Sequence, residues 1–190
     1  MYNYNTSSYT IDSDYINYRD KIKNLRTKLN KSQQDYNDEI SNLNRSLENI
    51  INTQNDENSS IYLQNVYEHE KEDIEERLIS TISNLLIELY TIFESTMKNI
   101  FLRHNVDFAG NNYFKIDKYY QYLYNELNIE ISNNFKLKFK RFKNKRNQLT
   151  HNGVDSTYDK SELIDIINEI TIEFEPLIIK IITEFKNKKG

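Results

Sequence analysis

Cysteine is missing from all 190 residues, which excludes disulfides and thiolate metal sites. Tryptophan is missing too, proline occurs once and glycine three times. So few turn and breaker residues argue for long helices and against a many-stranded sheet. The three histidines, His69, His104 and His151, lie far apart and form no HxxH, HxH or HExxH pattern. No zinc site is therefore expected, and no other metal or cofactor. No run of about 18 apolar residues appears, so no membrane span is expected. The opening MYNYNTSSYTIDSDY has neither a basic patch nor an apolar centre. It does not read as a signal peptide, and the expected compartment is the cytoplasm.

What the chain does contain is helical period. The length allows one domain of ordinary size plus an extension. Residues 1–11 are polar and tyrosine-rich and read as a tail, disordered or laid on a partner. From Asp12 or Ser13, apolar residues recur at Tyr15, Tyr18, Ile22, Leu25 and Leu29, then at Tyr36, Ile40, Leu43, Leu47 and Ile50. Steps of three and four, with one stutter, resemble a coiled coil, and so narrow a stripe must pair with something. Thr53–Ser60 reads as a connection, after which a second helix begins near Ser59. Its stripe is Tyr62, Val66, Ile74, Leu78, Ile82, Leu85, Leu89, Phe93, Met97, Ile100 and Phe101, widening from Leu78 onward. The spacing predicts a two-helix arm over 12–75 and a helical bundle over 76–190. His69 sits among acids and reads as a surface residue; His104, at a helix end before the Gly110 loop, is placed to cap carbonyls.

A short helix is predicted over 115–128, with Tyr122 and Tyr124 near solvent, where tyrosines can stack on unpaired bases. FKLKFK alternates as a strand would, but Phe135, Phe139, Phe142 and Leu149 fit a helical face, and no partner strand is visible. Asn152-Gly153 suits a left-handed cap. Asp159 and Glu162 look like a capping box for a last helix running to Lys186 and kinked at Pro176.

The chemistry concentrates in FKLKFKRFKNKRNQLTHNG. Lys136, Lys138, Lys140, Arg141, Lys143, Lys145 and Arg146 are seven cations without an acid among them, in a chain of net charge -4. Such a run suits RNA phosphates. It closes on Arg146, Asn147 and His151. RNA can be cut without a metal when its 2′-hydroxyl attacks the adjacent phosphorus. That reaction needs a proton carrier near neutral pH and a cation for the charge building on the phosphoryl oxygens. His151 fits the first role. The planar fork of Arg146 fits the second. Asn147 and His151, four apart, share a helix face, whereas Arg146 lies well round the helix with Phe139, Phe142 and Leu149. Two copies meeting across a dimer axis would supply the Arg and the His to one cleft. Glu94, near the apolar face of the second helix, needs a cationic partner, and Arg146 or a lysine of the basic helix is the expected one.

Arg146, Asn147 and His151, read as RNxxxH at the end of a helix, resemble the HEPN superfamily of small helical bundles. Its signature is an Arg, a polar residue and a His four to six positions after the Arg. The stretch Leu85–Phe101 looks like the superfamily's first core helix, with Phe93-Glu94 matching its aromatic-Glu setting. The resemblance runs over 75–187. It implies an all-α, HEPN-like bundle with the long hairpin arm added. It also implies a metal-independent endoribonuclease, active as a homodimer, often a toxin or phage-defence effector with an antitoxin or defence-system partner. Glu94 joins Arg146, Asn147 and His151 as a candidate catalytic residue on this ground. In HEPN toxins silenced by a nucleotidyltransferase, a Tyr follows the His by two positions; Gly153 stands there in this chain. The competing reading is a non-catalytic adaptor that binds a partner protein through its arm.

Overall fold

A computed structural model of the chain describes residues 13–53, 57–106, 108, 115–152 and 158–188. The described residues form five helices and no strand: α1 (Ser13–Thr53), α2 (Glu57–Arg103), α3 (Ile116–Leu127), α4 (Asn133–Asn152) and α5 (Lys160–Asn187). The all-α architecture read from the sequence is the one observed. The connection expected over 53–60 is shorter than that: Thr53 still belongs to α1 and α2 starts at Glu57, ahead of the expected start near Ser59. The tail 1–11, residues 54–56, most of the Gly110 loop and the Gly153 cap lie outside the described residues.

α1 and α2, of 41 and 47 residues, are about 60 and 70 Å long at 1.5 Å per residue. They run antiparallel. Arg103 reaches Asp14 at 3.0 Å and Lys28 reaches Glu88 at 2.9 Å. Further out, Arg77 pairs with Glu39 and the Tyr67 hydroxyl donates to Asn44 at 2.6 Å. The inward positions of α2 in the outer part are Leu63, Tyr67, Lys71 and Ile74, which are half-buried or buried. Tyr62 and Val66, which the periodicity placed on the apolar stripe, face solvent at 68% and 36% exposure. Leu63 and Tyr67 form an equally good stripe one residue later, and α1 lies against that one.

The core takes in more of α1 than the sequence reading gave it. Tyr18, Ile22, Leu25 and Leu29 are buried in the same cluster as the bundle helices. Tyr15 donates to Glu175 at 2.8 Å and Arg26 to Thr171 at 3.1 Å, so this half of α1 lies along α5. Beyond it, Tyr36, Ile40, Leu43, Leu47 and Ile50 are only half-buried, because α2 lies along them and α5 reaches no further than Tyr36. The free arm starts where α5 starts: Lys160 donates to Tyr36 at 2.8 Å and to Glu75 at 3.4 Å.

Phe93, Phe139 and Phe174 meet at the centre, one from each of α2, α4 and α5, all fully buried with ring centroids 3.6–5.9 Å apart. Contacts of this kind contribute beyond the area they bury. α3 closes the far end, where Phe101 touches Tyr119 at 4.8 Å and Phe185 at 5.3 Å. Asn105 and Asn128 take the left-handed backbone after α2 and α3, with φ of 59° and 52°. His104 stacks on Phe185 with centroids 4.2 Å apart, so it packs the end of α2. Tyr122 is half-buried against Phe101, Phe108 and Phe185, while Tyr124 is exposed.

FKLKFK is helical. Ser132 accepts from the Phe135 N–H at 3.1 Å and opens α4. Phe135, Phe139, Phe142 and Leu149 then point inward and Leu137 outward. Asp159 caps α5 by accepting from Ser161 N–H at 2.8 Å. Glu162 turns to α4 and forms ion pairs with Lys145 and Arg141. α5 is continuous past Pro176, which sits on its outer face, where the carbonyl left without an N–H is next to water.

Candidate functional site

The cations of α4 sort by helix face into three groups. On the α5 side, Lys138 pairs with Glu173 at 2.7 Å and Lys145 with Glu162 at 2.5 Å. Arg141 pairs with Glu162 at 3.3 Å and Glu169 at 3.9 Å. Glu173 raises the Lys138 pKa through its hydrogen bond, and Lys145, with Arg141 behind it, holds the Glu162 carboxyl below its ordinary range. Three of the seven cations of this run are therefore already paired with acids inside the chain. The acids at 162, 169 and 173 fall on one face of α5, a spacing visible in the sequence that its analysis passed over.

On the other side, Lys136, Lys140 and Lys143 have no acidic partner among the described residues. Lys136 lies 5.9 Å from the Tyr120 ring. These lysines share a face with Asn147 and His151. Steps of four, three, four and four place all five within about 80° of arc, over about 22 Å of helix. His151 is exposed and Asn147 half-buried. This face is cationic at its start and carries an imidazole at its end.

Arg146 belongs to neither group. It points inward, with its guanidinium carbon 3.9 Å from the centre of the Tyr90 ring on α2. Burial raises the Tyr90 hydroxyl pKa, and the hydrogen bonding and charge of Arg146 oppose that rise. The Nε of Arg146 is buried with no hydrogen-bond acceptor among the described residues. Sequence reasoning missed Tyr90, one helical turn before Glu94, as the residue that holds the arginine. Glu94 itself pairs with Lys98 of its own helix at 2.6 Å, not with Arg146 or a lysine of α4. An i,i+4 neighbour needs no rearrangement to reach it.

One copy thus brings Asn147 and His151 together with three free lysines, and keeps Arg146 and Glu94 round the helix on the α2 side. Among the described residues no group of three His, Asp or Glu could hold a metal ion, and no helix is long and apolar enough to cross a membrane. Comparison with protein-family models, with curated proteins and with solved structures finds no match.

Proposed function

We propose that the chain is a metal-independent endoribonuclease that acts in the cytoplasm as a homodimer with a composite site. The observation that carries this reading is the sorting of charge on α4. The cations left without an acid share the face of Asn147 and His151, while the opposite flank is neutralised by α5. A single-stranded RNA laid along Lys136, Lys140 and Lys143 would bring a phosphate to His151. The 2′-hydroxyl would then lose its proton as it attacks phosphorus, and the 5′-oxygen would gain one as it leaves. Arg146 of a second copy would take the charge on the phosphoryl oxygens. The products would be a 2′,3′-cyclic phosphate and a 5′-hydroxyl. The RNxxxH resemblance adds the setting of a toxin or defence effector held by a partner protein.

The test is cleavage of a labelled unstructured RNA in excess chelator. Cyclic-phosphate ends, with a loss of two to four decades of rate in His151→Ala, the usual worth of general acid–base help, are expected. Cleavage unchanged in that variant, or abolished by the chelator alone, would overturn the proposal. The second reading, a non-catalytic adaptor, is favoured by the contact of Arg146 with Tyr90. If that contact is permanent, the motif is structural and no RNA is cut.

A further inference from the structure

The outer arm carries apolar side chains that stay exposed among the described residues. Ile51 on α1 is 51% exposed, and Ile61, Tyr62 and Val66 on α2 are 60%, 68% and 36% exposed. The antiparallel register places Ile51 level with the start of α2, and the three α2 residues lie on the side turned away from α1. Directly below them on that side, Glu72, Asp73 and Glu76 are exposed and have no cationic partner among the described residues. Between Asp35 and Arg77 the sequence has twelve acids and three bases, a net charge of -9 in a chain whose total is -4. An apolar patch above an acidic strip is the complement of a helix with leucine-like residues on one side and lysine or arginine beside them. It is a poor complement to a second arm, because two segments of this charge repel along their length. It is also closed to nucleic acid for the same reason.

We infer that the outer arm is a docking surface for a cationic amphipathic helix supplied by another protein. The surface is independent of α4 and holds whether or not the chain cuts RNA. Its position gives docking a use. α4 runs antiparallel to α2, with Phe139 beside Phe93 and Phe142 beside Tyr90, so His151 points to the end of the bundle from which the arm leaves. A basic helix on the arm would sit next to the motif and weaken the negative field that the arm casts there.

The experiment titrates the full chain into two labelled 18-residue peptides of equal Leu and Lys content, one amphipathic as a helix and one scrambled. Fluorescence anisotropy reads binding and circular dichroism reads helix gained by the peptide. The amphipathic peptide is expected to bind at least tenfold more tightly and to become helical. Tyr62→Ser with Val66→Asn should weaken it at least tenfold. Glu72→Gln with Asp73→Asn and Glu76→Gln should flatten its salt dependence. Both variants should keep the parent's helical signal, since all five side chains are in water. Equal binding of both peptides, or undiminished binding to Tyr62→Ser with Val66→Asn, would overturn the inference. So would sedimentation showing that these variants abolish self-association, because the occupant would then be a second copy. Loss of RNA cleavage leaves these readouts untouched, so the two proposals fail separately.

Discussion

Arg146 and His151 stand five residues apart and answer to different physics. His151 is exposed at the last turn of α4, so truncating it removes no packing. Arg146 lies over the Tyr90 ring, and a desolvated contact of that kind is worth about 1–2 kcal/mol. Truncating Arg146, unlike truncating His151, also removes packing. Urea unfolding should show His151→Ala superimposed on the parent and Arg146→Ala less stable by about 1–2 kcal/mol. Arg146→Lys should recover only part of the loss, since an ammonium does not stack as a planar guanidinium does. Equal midpoints for all three would show that Tyr90 does not hold the arginine. Which residue of α2 meets Arg146 was not legible in the sequence. Tyr90 and Glu94 are one turn apart on the same face, and charge alone favours Glu94. Lys98, one turn further on, removes that preference by pairing with Glu94 first.

The helices were legible as elements because spacing of three and four is dense and breakers are few. Their partners were less so. Over the outer part of α2, Tyr62/Val66 and Leu63/Tyr67 are two stripes one residue apart, and only the register against α1 chooses between them. The α1 stripe keeps one period from Tyr18 to Ile50, so the sequence does not mark where α5 begins to cover it. The pairing of α4 with α5 makes its own prediction. Glu162 is held below its ordinary pKa by Lys145 and Arg141. A carboxyl depressed in the folded state stabilises fully above the ordinary glutamate value of about 4.3, and that contribution is lost as the pH falls through the lower folded value. Glu162→Gln should therefore lower the melting temperature at pH 7, and the gap from the parent should shrink as the pH falls below about 4. A gap that is the same at pH 7 and pH 3 would show that the ion pairs do not couple the two helices.

At the scale of the molecule, α1 serves two structures. Leu25 is wholly buried in the core, so Leu25→Ala should cost about 2–5 kcal/mol although it lies in the segment the sequence assigns to the arm. The outer arm is dispensable to the bundle, because the Tyr36 hydroxyl already touches Glu75 at 3.1 Å and a short turn can join α1 to α2 there. Replacing residues 38–73 with such a turn should leave a cooperatively folding bundle that has lost the amphipathic-peptide site. A molten product would show that the arm is part of the core. The α1–α2 ladder has a further consequence, for the path by which the chain folds. Its rungs close loops of increasing span: 23 residues at Tyr67–Asn44, 38 at Arg77–Glu39, 60 at Lys28–Glu88 and 90 at Arg103–Ser13. Closed in that order, each rung leaves only a short stretch to be ordered for the next, so the longest closure is reached in small entropic steps. Cutting the chain between Thr53 and Glu57 would remove that order of events. Refolding would then depend on the encounter of two fragments and slow on dilution, although every contact of the assembled bundle is still available.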